Sequence, residues 1–171
     1  MSWDSVSAVS EVIAAIAVVI SLIYISAQVR SGAESFKTTL RDSSFSSLME
    51  YNYAILADED LAWIFHKGMR SLDELSETQQ ARALHVFYAF FKLWENIYLH
   101  YLAGSVDDSV WMNNSKVLFA YGAMPGAQRY LRERMQIFEP RFQQLLKGIE
   151  PTVSTSGDVL NSIYEPEQQV S

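Results

Sequence analysis

The residue types that do acid–base, nucleophilic or metal chemistry are present but scattered. His66, His85 and His100 stand far apart, and none has a ligand-type neighbour three or four positions away in a pattern that suggests a metal. His85 and His100 share one predicted helix but lie about four turns, roughly 22 Å, apart, too far to share an ion. There is no Glu-x-x-His pair of the kind a di-iron bundle uses. The phosphate loop, GxGxxG, GxSxG and HExxH patterns are missing too. With no Cys, thiolate zinc sites and thiol nucleophiles are excluded. These observations predict no catalytic residue, no metal and no cofactor.

Glu95 is the polar residue in the most unusual place, between Trp94 and Asn96 in the most apolar part of the domain, with Lys92 three positions before it. Facing inward it needs a partner, supplied by an Arg of the 129–141 stretch; facing outward it pairs with Lys92. A structural ion pair outweighs catalysis. Around it Phe87, Phe91, Trp94 and Tyr98 fall on one helical stripe. That stripe is a packed core or, as the alternative, an aromatic pocket for a small molecule or lipid. Asp107 and Asp108 read as helix caps.

The element that places all of this is Val12–Ile25, inside a window from Ser5 to Val29 whose only charge is Glu11. As a helix the window would be about 37 Å long, enough for a tilted crossing of the roughly 30 Å hydrocarbon core. In lipid a helix satisfies its own backbone, which overrides the poor helix propensity of Ile and Val. A signal peptide would want basic residues before the apolar run, and Met1–Glu11 has none. The remaining rival is a buried helix of a soluble domain. Bases appear only afterwards, at Arg30, Lys37 and Arg41, which predicts an external N-terminus and a cytoplasmic remainder. Ser10, Ala14, Ala17, Ser21, Tyr24 and Gln28 recur at helical spacing as a stripe of small and polar residues suited to a helix–helix contact in the membrane.

The rest reads as helices. Residues 1–30 form the N-terminal segment and span, 31–57 a juxtamembrane helix, 58–149 a helical bundle and 150–171 an acidic disordered tail. Asp58 is a predicted N-cap for a helix Glu59–Lys67 ended by Gly68. Ser76 with Gln79 makes a capping box for the longest helix, Glu77 to about Ala103, closed by Gly104. A further helix stops at Gly122, another covers Ala127–Phe138, and Pro140 opens a last one to Leu146. The fold class is all-α: one transmembrane helix and a bundle of about five helices. A net charge of −7 argues against a nucleic-acid partner, and 13% aromatic residues suit a packed core.

The opening WDSVSAVSEVIAAIAVVISLIYISAQVR, through Trp3, Glu11, Tyr24, Gln28 and Arg30, resembles the start of a widespread group of uncharacterised bacterial proteins. The later order of Glu95, Tyr98, Gly104, Asp107 and Trp111 is similar to the same group's pattern. The resemblance implies a helical domain tethered to the membrane and brings no catalytic residue. The expectation is therefore a bacterial inner-membrane interaction protein whose partners are the bilayer and either itself or another membrane protein.

Overall fold

A computed structural model of the chain describes residues 3–151 and, within the first helix, the side chains of residues 11, 13 and those from 15 onward. The tail expected from residue 150 lies, from residue 152 on, outside the described residues, as do the side chains of Ser10 and Ala14. Among the described residues the chain is all-α and has no strand. The helices are α1 (Trp3–Leu56), α2 (Glu59–Arg70), α3 (Glu77–Leu102), α4 (Asp108–Gly122), α5 (Pro125–Arg134) and α6 (Pro140–Lys147), with 3₁₀ turns at Leu72–Glu74 and Met135–Ile137. By packing, the chain divides into two units, 1–39 and 40–171.

The first unit is helical, and its stretch from 12 to 29 is uncharged. Each described side chain from 11 to 39 is exposed, Ile20 at 61% and Ile23 at 65% among them. This is the one helix, among the described residues, that is long and apolar enough to cross a membrane. Gly32 lies inside α1 with nothing near the position of a Cβ, so it neither ends the helix nor serves a close contact.

In the second unit the end of α1 presents Ser44, Leu48, Tyr51 and Ile55, spaced four, three and four, to the bundle. Ser44, Leu48 and Ile55 are buried. Asp58 then caps α2 by accepting from the Leu61 N–H at 2.9 Å.

Gly68 does not end α2, which continues to Arg70. Its role is proximity: a Cβ on Gly126 of α5 would lie 1.9 Å from the Gly68 carbonyl oxygen. The two helices cross backbone to backbone, and only glycine fits at 126.

The capping box forms as the residue pattern predicts: Ser76 N–H donates to Gln79 Oε1 at 3.0 Å and Gln79 N–H to Ser76 Oγ at 3.4 Å. It starts α3, the helix that packs against α2, α4, α5 and α6. Phe87, Phe91, Trp94 and Ile97 on α3 are fully buried. Aromatic rings knit the core: Phe91 stacks on Tyr130 of α5 with centroids 5.8 Å apart, and Tyr101 stacks on Trp111 of α4 at 5.1 Å. Gly104, at φ 70°, turns the chain out of α3 in the left-handed region.

The helix expected over Ala127–Phe138 stops at Arg134 and gives way to a 3₁₀ turn. Backbone groups there are claimed by α3: Lys92 donates to the Ile137 carbonyl at 3.0 Å, and the Glu139 N–H donates to Glu95. Pro125 and Pro140 each occupy the first turn of their helices, where the missing N–H is no loss.

Candidate functional site

Three places gather the polar and aromatic residues of interest. The first is the stripe on α1. Ala17, Ser21, Tyr24 and Gln28 are all exposed, and the Ser21 hydroxyl donates to the Ala17 carbonyl at 2.8 Å. That hydroxyl proton is held within its own helix, so across a helix–helix contact Ser21 offers an acceptor and little bulk.

The second is Glu95, which is buried. Its cation is Lys92 on the same helix, with Nζ 2.5 Å from Oε2, and not an Arg of the 129–141 stretch. The other oxygen, Oε1, accepts from the Glu139 N–H at 2.5 Å. Lys92 also lies 5.2 Å from the centroid of the Phe138 ring. Glu139 in turn caps α6, accepting from the N–H groups of Arg141 and Phe142 at 2.8 and 3.2 Å. The Arg141 side chain bonded to it, aided by those N–H groups, holds its carboxyl below the usual range. Glu95 and Lys92 thus fasten the 137–139 link to α3. Both carboxylate oxygens are occupied, and the arrangement is a structural clamp.

The third is a cleft of about 310 Å³ in the second unit, open to solvent past Met49 and Leu56 and walled by the end of α1 and by α2, α3 and α4. Its lining is mostly apolar and aromatic, with Tyr51, Phe65, Phe90, Trp94 and Tyr121 around it and no Asp, Glu, Lys or Arg. The aromatic pocket expected around Phe87, Phe91, Trp94 and Tyr98 is corrected by this geometry. Phe87 and Phe91 point into the solid core, and Tyr98 packs on Trp111 and Phe142; Trp94 alone reaches the cavity. The reason is helical phase. Phe90 and Trp94 share one edge of α3, which faces the gap, while Phe87 and Phe91 are turned toward α5.

Polar groups are few and mostly committed. The Tyr51 hydroxyl donates to the Val86 carbonyl at 3.2 Å, and burial, with Tyr121 beside it, pushes its pKa far up. Asn52 and Asn114 each donate one amide N–H to a carbonyl of their own helix at 2.8 Å, which leaves their side-chain oxygens as acceptors. Burial, with Arg70 nearby, lowers the pKa of His66, so this wall of the cavity is neutral at pH 7. The Trp94 indole N–H is buried and has no hydrogen-bond partner. An unmet donor of that kind costs about 1–3 kcal/mol.

Residue patterns missed this cavity because its walls come from four helices and depend on how far apart two of them pack. The one signal was Asn52 and Asn114, amides on otherwise apolar helix faces. Among the described residues no group of His, Asp and Glu is placed to hold a metal ion. No protein-family model matches the chain, and neither a curated protein nor a solved structure matches it.

Proposed function

We propose that the protein is a membrane-anchored helical interaction protein, held in the bilayer by α1 and acting as a homo-oligomer or as an accessory or scaffold subunit of a membrane assembly. One observation carries this reading: residues 12–29 are uncharged, and every described side chain among them is exposed. Eighteen such residues make about 27 Å of helix, close to the hydrocarbon thickness. In water that surface would be a contiguous apolar patch far beyond what a soluble monomer tolerates; in lipid it is already solvated. The bases that follow, at Arg30, Lys37 and Arg41, favour a cytoplasmic bundle. The resemblance of residues 3–30 to bacterial tethered domains supports the bacterial inner membrane as the location. The occupied Glu95–Lys92 clamp and the scattered histidines favour binding over catalysis.

The test is cross-linking in membranes of full-length chains bearing one Cys, against a background free of native Cys. Ala17→Cys or Ser21→Cys should give dimers or a partner adduct, whereas Ile16→Cys and Val19→Cys should not. Equal cross-linking at all four, or none, would overturn association through this stripe. Release of the protein from membranes by alkaline carbonate would overturn the anchor itself.

A further inference from the structure

Neither the anchor nor the Glu95 clamp accounts for the cleft between the end of α1 and α4. Its floor is apolar and aromatic, and its rim holds large apolar side chains in water: Met49 is 49% exposed and Leu56 75%. No Asp, Glu, Lys or Arg lines it. The end of the bundle says which part of the chain lies within reach. After α6, Ile149 is buried and covers Gly122, where a Cβ would stand 2.8 Å from Ile149 Cδ1. Gly122 follows Tyr121, which lines the cleft. Glu150 and Pro151, both exposed, therefore stand close to the α4 end of the cleft, and residues 152–171 follow them in sequence.

We propose that the cleft is the docking site of residues 159–164 of the same chain, which settle into it as a short amphipathic helical segment. In helical register Val159, Leu160, Ile163 and Tyr164 share one side, and Asp158, Asn161, Ser162 and Glu165 take the other. That is the pattern of a helix laid into an apolar groove. Asp158 suits the start of such a segment, and Pro166 stops it after Glu165. Two turns are too short to be stable alone in water, so the helix and the docking form together. The acids fall on the side away from the uncharged lining, and none has to be buried. The Tyr164 hydroxyl is a donor for the side-chain oxygen of Asn52 or Asn114, whose amide groups already donate within their own helices. Reach is ample: the eight steps from Pro151 to Val159 extend to about 26 Å, against roughly 10 Å of α4 between Asn114 and Tyr121. The covalent link also holds the segment at an effective concentration of the order of 1 mM. The proposal does not rest on the membrane anchor.

The test is the rate of cross-linking by a short bismaleimide in full-length chains in detergent, which carry no native Cys. One chain bears Met49→Cys, at the rim, with Ser162→Cys, on the polar side of the segment. The control bears Ala54→Cys with Ser162→Cys; Ala54 is exposed on the same helix but does not line the cleft. The rim pair should link within one chain roughly tenfold faster than the control pair, the ratio for a segment that is mostly docked. Adding Leu160→Asp and Ile163→Asp should bring the rim pair down to the control rate. Those two positions lie beyond the bundle's last helix, so the substitutions leave its core intact. Equal rates for the two pairs would overturn the docking and leave the cleft to some other occupant. A fast rim pair found only as a product of doubled mass would overturn the assignment to the same chain, since a second copy would then supply the segment. A fast rim pair that the two Asp substitutions do not slow would overturn the apolar side as what the cleft recognises.

Discussion

Residues 12–29 and helix α3 are both rich in large apolar side chains, yet they have opposite environments. Ile20 and Ile23 are more than half exposed; Phe87, Phe91 and Trp94 are sealed. The difference is punctuation. Along α3, Arg82, His85, Lys92, Glu95 and His100 interrupt the apolar run and turn outward or pair, so the helix has a wet edge and a dry face. Residues 12–29 contain no charge, and their polar groups are the uncharged Ser21, Tyr24, Ser26 and Gln28. A helix without a charged edge suits a solvent that is apolar all round, and a helix with one can pack among neighbours in water. Hydrophobic content alone does not separate the two; the placement of a few charges does.

The contrast is broken most severely by truncating a core ring. Phe91→Ala should lower the stability of the bundle by about 3–5 kcal/mol, through lost burial and a cavity beneath Tyr130. Ile20→Ala, similar in apolar loss, should leave the same transition unchanged. Thermal melting of the full-length chain in detergent, followed by near-ultraviolet circular dichroism, reads both. An equal shift for the two would mean that residue 20 packs against protein.

Glycine sharpens the comparison next. Gly126→Ala places a methyl 1.9 Å from the Gly68 carbonyl oxygen and 2.8 Å from that of Met69, so α2 and α5 must separate. A loss of about 1–3 kcal/mol is expected from such overpacking. Gly32→Ala meets nothing and should strengthen its stretch of helix by about 0.5–1 kcal/mol while leaving the bundle melt alone. Comparable destabilisation by both would deny that 126 is a contact and 32 an open position.

Glu95→Gln tests the clamp. The substitution removes the charge from two hydrogen bonds and leaves Lys92, 31% exposed, to be compensated partly by water. The expected loss is about 1–3 kcal/mol, below the figure for a fully buried pair. An unchanged melt would show that the clamp contributes nothing to stability.

The smallest effect is that of pH. The folded protein holds the His66 imidazole below its ordinary value of 6.5, so the unfolded chain binds that proton more readily. Stability contributed by the neutral ring is therefore present above pH 6.5 and falls as pH drops through 6.5 toward the folded value. The melting temperature should decline between pH 7 and 5.5 and decline less in His66→Asn. Residues 12–29 contain no histidine and add nothing to that dependence.

Much of the fold was legible because it is local. Asp58, the Ser76–Gln79 pair, Gly104, Pro125 and Pro140 act within a turn of where they stand, and each can be read from its neighbours. Gly68 misled for the same reason: it has the look of a stop signal, and only the approach of Gly126, far along the chain, shows that it is a crossing point. Glu95 was legible as a residue in need of a partner. Which partner it takes depended on the 137–139 backbone folding back onto α3. The cavity was the least legible feature, since Phe87, Phe91, Trp94 and Tyr98 form one stripe in sequence, whereas a rotation of α3 by a fraction of a turn sends Trp94 to the gap and the others elsewhere.

The helix caps have a kinetic consequence. α2, α3 and α6 begin with side-chain caps, whereas α4 and α5 begin with none, and the Asp107 carboxylate at the start of α4 lies 3.8 Å from Arg41 instead of bonding its own first turn. An uncapped first turn opens at lower free energy than a capped one. Amide hydrogens at the start of α4 should therefore exchange with solvent sooner than those at the start of α3.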